Sequence, residues 1–171
     1  MKWILPFAFM LLAAVVFAGE SVTNSTVITQ EEIASLKRLR EEARAKMQKQ
    51  FESMPRDKIR KTASGLEFIE LKEGAGKFPE RGQKVQVYYT GWLINGTKFD
   101  GSEEELYEFP VGYDRVIAGW DEGVAGMKVG GKRRLIIPPR LGYGTSGRGS
   151  AVPPNATLVF DVELVKIAEE R

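Results

Sequence analysis

The 171-residue chain has no histidine and no cysteine. Without an imidazole, a Ser or Thr nucleophile loses its usual base. A lysine could serve instead, but no Ser-x-x-Lys motif occurs. Thiol chemistry and disulfides are excluded outright, and zinc loses the ligands it usually takes. The core must therefore carry stability alone, which a domain of ~110 residues can do. Charge of one sign is also lacking. Net charge is only +2, so nothing draws the chain to nucleic acid or to an anionic membrane. Gly142 to Gly149 is glycine-rich but lacks the Lys-Ser/Thr step of a phosphate loop. No metal and no cofactor are expected.

Long apolar runs are scarce too, and the one present stands at the start. Lys2 is followed by a nearly unbroken apolar stretch from Trp3 to Phe17, with small residues before Gly19. This pattern predicts a secretory signal peptide over residues 1–18. The stretch falls short of the ~20 residues a membrane-spanning helix needs. Residues 19–28 read as a disordered leader. The chain closes on Ala168-Glu169-Glu170-Arg171, which is not an endoplasmic-reticulum retrieval signal. The expected location is thus a bacterial periplasm or the cell exterior, with an organelle lumen as the alternative. Asn24, Asn95 and Asn155 each begin a glycosylation sequon. The last two sit beside tight turns or core strands and read as chance matches.

Two organised regions follow. Thr29-Gln30-Glu31-Glu32 has the form of a capping box. It predicts a helix that ends near Met54-Pro55, because the residue before proline is pushed out of the helical region. Ile33, Leu36, Ala43, Met47 and Met54 recur at spacings of three, four and seven. Residues 29–62 therefore read as a charged helical arm. The arm is either a solvated linker or a homodimer contact through residues 29–54. Arg40 and Gln50 interrupt the stripe and only about three heptads fit, the minimum for a coiled coil.

Residues 63–171 change to short strands and turns. Alternation predicts strands over 66–71, 83–93, 106–111, 133–137 and 157–167, with Asn95-Gly96 as a hairpin turn. Glu103-Glu104-Glu105 reads as a solvated loop. Only Val116 to Val124 looks helical. The expected class is α+β: a curved antiparallel sheet wrapped around one short helix.

Val116-Ile117-Ala118-Gly119-Trp120 places an aromatic plate beside two backbone N–H groups. Tyr89, Phe99-Asp100, Tyr143 and Phe160 arrive from elsewhere in the chain. Together they describe an apolar cup with a few placed polar groups. A reaction that needs neither nucleophile nor base suits such a cup, and prolyl isomerisation is one. Rotation about an X–Pro bond meets a resonance barrier of roughly 18–20 kcal/mol. An apolar medium weakens the charge-separated resonance form and eases the twist.

The motifs themselves carry a resemblance. Tyr89-Thr90-Gly91, Gly96-x-x-Phe99-Asp100, Phe109-Pro110-Val111-Gly112, Val116-Ile117-x-Gly119-Trp120-x-Glu122-Gly123-Val124, Pro139-x-x-Gly142-Tyr143-Gly144 and the stretch from Val152 to Leu164 follow one another in order. Over about Leu66 to Ile167 the chain resembles the FKBP-type peptidyl-prolyl isomerases, the macrolide-binding immunophilins. The resemblance implies Trp120 as floor and Tyr89, Phe99, Phe109 and Phe160 as walls. It implies Asp100 facing the imide carbonyl. The Ile117 N–H and the Tyr143 hydroxyl would meet substrate carbonyls, with Val116 and Val152 touching substrate; Tyr107 matches a less constrained position. It further implies proline-containing polypeptide clients and macrolide inhibitors as partners.

Two departures stand out. The Glu103-Glu104-Glu105 segment lacks the basic residue with which family members often pair the Asp100 carboxylate. The far loop, Arg148-Gly149-Ser150-Ala151, is small and mobile where bulkier apolar residues are common. The leading expectation is an exported prolyl isomerase that assists folding. The alternative is a non-catalytic peptide-binding chaperone or adaptor, with the helical arm as dimer or client contact.

Overall fold

A computed structural model describes residues 29–168 of the chain. The predicted signal peptide, the leader and the sequon at Asn24 lie outside these residues. Helix α1 spans Gln30–Glu52 and starts at the predicted capping box. The Glu32 amide donates to Thr29 Oγ1 at 3.2 Å, and the Thr29 amide donates to Glu32 Oε2 at 2.8 Å. That returning bond holds the Glu32 carboxyl below the usual carboxylate range.

Six strands follow: β1 (Arg60–Lys61), β2 (Glu67–Lys72), β3 (Lys84–Leu93), β4 (Lys98–Pro110), β5 (Lys132–Ile137) and β6 (Leu158–Ile167). Helix α2 (Ala118–Ala125) lies between β4 and β5. The strands form one sheet in the order β1-β2-β5-β6-β3-β4, with every pairing antiparallel. The architecture is the predicted curved antiparallel sheet around a short helix.

Alternation explains which faces are buried. Val85 and Val87 on β3, Leu135 and Ile137 on β5, and Leu158, Val162 and Leu164 on β6 are all fully buried. They meet Trp120 and Val124 of α2 in one core. The helix sits close because its inner face carries glycines. A Cβ at Gly119 would come within 2.6 Å of Ile137, and one at Gly123 within 2.7 Å of Leu135. Arg133 closes the end of α2. Its guanidinium donates to the carbonyls of Gly123 at 2.7 Å and Gly126 at 2.8 Å, groups with no partner inside the helix.

One expectation changes. Residues 103–105 do not form a loop between two strands; β4 runs unbroken from Lys98 to Pro110. The ladder nevertheless steps from Val87↔Tyr107 to Tyr89↔Ser102. Residues 103–106 therefore stand opposite Tyr88 alone, a bulge that bends the strand. Runs of acid look like loop in a sequence, but a bulge lets them stay extended while leaving the ladder.

The arm is fastened to the sheet at its C-terminal end. Phe51 is the buried residue of α1. Its ring meets Trp92 edge-on at 6.3 Å, and the Arg134 guanidinium lies 5.5 Å from its centroid. Asp161 holds that guanidinium with two bonds, at 2.6 and 2.7 Å. Further along, Arg44 Nε donates to the Asn95 carbonyl at 3.3 Å. Gly96, at φ +83°, lies so near that a Cβ would be 2.3 Å from the Arg44 carbonyl oxygen.

Candidate active site

The first turn of α2 places Trp120 at the centre of an aromatic cluster. Tyr89, Phe160 and Tyr107 stand nearly perpendicular to the indole, at 86°, 85° and 82°. Their centroids lie 4.8, 5.2 and 6.1 Å from it. Three rings set edge-on to a flat indole make walls on a floor, an arrangement that also satisfies the aromatic quadrupoles. Gly91 makes room for one wall: a Cβ there would lie 2.6 Å from Phe160 Cε1. The resulting well is about 520 Å³.

Seven of the ten candidate residues line this well: Tyr89, Asp100, Val116, Ile117, Trp120, Tyr143 and Phe160. The other three stand behind it. Phe99 packs edge-on against Phe160 at 5.4 Å and faces the neighbouring groove. Phe109 is 3% exposed and backs Trp120 at 5.7 Å. Val152 is 1% exposed, and its amide and carbonyl both bond Arg148. Phe109 and Val152 shape the well from beneath its surface. Sequence spacing places a residue near a site but cannot say which layer its side chain occupies.

Asp100 stands at the lip and is held on both oxygens. Oδ1 accepts from the Tyr89 hydroxyl at 3.0 Å and from the Gly101 amide at 2.9 Å. Oδ2 accepts from Arg148 Nη1 at 2.9 Å. The same nitrogen donates to the Tyr143 hydroxyl at 3.2 Å. The expected lack of a basic partner for Asp100 is thus corrected: the cation comes from the far loop. Gly147 and Gly149 flank Arg148 at φ +66° and +53°, and the bridge Arg148↔Val152 closes the turn. A glycine-flanked arginine was the available signal; read as a small mobile loop, it was missed.

These contacts set the local electrostatics. Burial, reinforced by the Asp100 charge, pushes the Tyr89 hydroxyl up to about 12. Its proton stays in place to orient Asp100. The bond that the Arg148 guanidinium donates to Asp100 holds it above its ordinary value.

A second missed residue fixes the other lip. Asp121, 8% exposed, accepts from the amides of Gly112 at 2.7 Å and Asp114 at 2.9 Å. Asp114 has φ +52°, so the loop before Ile117 is pinned in a shape it would not choose alone. The Ile117 carbonyl accepts from the Trp120 and Asp121 amides, while its own N–H has no partner among the described residues. Trp120 Nε1 is likewise without one. Being buried, the indole nitrogen is not presented to the well, which therefore offers one unused donor, one fixed carboxylate and one hydroxyl around an apolar floor.

Fold and well together define a curved-sheet protein with an aromatic well, a fixed carboxylate at its lip and no nucleophile–base pair among the lining residues. Residues 75–165 match the family described as FKBP-type peptidyl-prolyl cis-trans isomerase. The chain belongs to this family, and its enzyme class is peptidyl-prolyl cis-trans isomerase. It is 51% identical over 107 residues to an FK506-binding protein of Neisseria meningitidis serogroup B, covering 61% of this chain and 98% of that one. It is 46% identical over 118 residues to the FKBP-type 22 kDa peptidyl-prolyl cis-trans isomerase of Escherichia coli, covering 68% and 56%. The crystal structure of FkpA from Escherichia coli superposes with a TM-score of 0.62 at 37% identity, over 80% of this chain and 64% of that one.

Proposed function

We propose that the aromatic well receives the proline ring of a polypeptide client and lowers the barrier to twisting of its imide, and that the clients are exported proteins whose folding this speeds. The observation that carries the reading is the set of three rings standing at 82–86° over Trp120, with Asp100 pinned at their edge.

The chemistry follows from solvation. A planar imide carries partial negative charge on oxygen and partial double-bond character in C–N. Entry into the well replaces water around that charge with ring faces and edges. The charge-separated form is weakened and the C–N bond gains single-bond character. Asp100 faces the imide carbonyl and disfavours its negative oxygen further, so the twisted state gains relative to both planar ones. The Ile117 N–H and the Tyr143 hydroxyl hold flanking carbonyls of the chain while the imide turns. No covalent intermediate forms. A macrolide that presents a ring and adjacent carbonyls would compete for the same well, in keeping with the FK506-binding name of the Neisseria relative.

The proposed exported location rests on the apolar run and small residues of 1–18. A homodimer through residues 29–54 is supported by Ile33, Leu36 and Leu39, which are 45%, 54% and 58% exposed on α1. The test is a protease-free isomerisation assay beside amide and indole NMR of the labelled protein with a proline peptide. Turnover should come with shifts at the Ile117 N–H and Trp120 Nε1–H. Turnover with neither signal moved would remove the well from the mechanism. N-terminal sequencing of the exported fraction should begin at Gly19; a retained Met1 would refute cleavage.

A further inference from the structure

A second cavity, about 750 Å³, lies between α1 and the hairpin that joins β3 to β4. Met47, Trp92 and Phe99 give it an apolar floor, and Lys37, Arg40 and Arg44 stand on its helical wall. Asp100 lines both this groove and the well. The two cavities therefore meet at the residue that faces the imide. The groove wall is held in place beforehand, by Phe51 on Trp92 and by the Gly96 turn against Arg44. Little ordering would be needed on binding.

We infer that this groove is an accessory subsite for an acidic stretch of the same polypeptide whose proline occupies the well; the inference rests on the isomerase reading above. Lys37, Arg40 and Arg44 follow a spacing of three and four and so share one helical face. Lys37 and Arg40 have no ion-pair partner among the described residues. Arg44 is steadied by the Asn95 carbonyl through Nε. Like charges at this spacing repel, and an anionic occupant relieves the repulsion. The acids nearby do not cancel them: Glu41 is the one acid of α1 at the groove, and Asp100 is committed to Arg148. An apolar floor that runs into a proline well suits side chains of a polypeptide better than a bare anion.

The test uses the full-length protein and four peptides with one X–Pro bond. Each carries a tail of Glu or of Ser, on either side of the proline. The quantity read is the Glu-to-Ser ratio of kcat/KM within each protein, so differences in folding or basal turnover cancel. For one tail direction the ratio should reach about tenfold at low salt, two exposed pairs near the upper end of their usual strength, and fall toward one at high salt. In the double variant K37S/R40S it should be near one throughout. A ratio near one in the unmodified protein for both directions overturns the inference, as does a preference that survives in K37S/R40S. Absence of turnover with every tail would sink the isomerase reading and this inference with it.

Discussion

Replacement of Asp100 separates a catalytic effect from a structural one. The carboxylate accepts three bonds, from Tyr89, Gly101 and Arg148. Its side chain is 30% exposed and that of Arg148 is 54% exposed. An ion pair so open to water contributes roughly 0.2–1 kcal/mol. Water can replace Asp100 at the Tyr89 hydroxyl, which opens to the well. Asp100→Ala should thus cost about 1 kcal/mol of stability, a shift of about 4–8 °C in Tm. Turnover should fall far more. Loss of a fixed donor in a sealed oxyanion site costs about 100- to 1000-fold; for a charge at an open lip, about 10- to 100-fold is the expected scale. Arg148→Ala leaves both bonds to Oδ1 intact, so it should lower kcat/KM by only about two- to fivefold. If Arg148 acts by positioning Asp100, its removal in the Asp100→Ala background should change little. Chymotrypsin-free isomerisation rates for the four proteins, with thermal melts, complete the cycle. Equal turnover for Asp100→Ala and the unmodified protein, or fully additive losses, would refute the reasoning.

Three further outcomes are expected. Phe51→Ala should free the arm: hydrogen exchange over residues 30–52 should rise while short-peptide turnover holds, and unchanged exchange would mean that the Trp92 contact does not anchor α1. Asp121→Ala should lose two buried charge-assisted bonds, lowering stability by about 1–3 kcal/mol and raising KM through the loop that carries Ile117; an unaltered KM and melt would contradict its role. With no histidine, turnover should be flat across about pH 6–9. The Tyr89 hydroxyl is raised in the fold from 10.0 to about 12, so its contribution is complete below the unfolded value and is lost as pH climbs from there. Melting temperature should fall more steeply between those limits than in Tyr89→Phe, and parallel curves would dismiss the effect.

Much of this was legible along the chain because it is local. The period-two pattern of Leu158, Phe160, Val162 and Leu164 fixed a strand and its inner face. Thr29 and Glu32 marked a helix start that the hydrogen bonds confirm. The absence of histidine and cysteine closed off whole classes of chemistry at the outset. Such signals depend on residues a few positions apart, where backbone geometry leaves little choice. What the sequence could not decide was pairing across distance. Arg148 reaches Asp100 over 48 positions, and it does so because two glycines fold its loop back and Val152 clamps it. Phe51 finds Trp92 only once β5 and β6 have placed Arg134 and Asp161 behind it. The depth of Phe109 and Val152 beneath the well is likewise a matter of packing. Composition and spacing determined that several aromatic residues would be on hand for one cluster; the closure of the sheet decided which charge stands at its edge, since that contact forms only when distant loops are brought together.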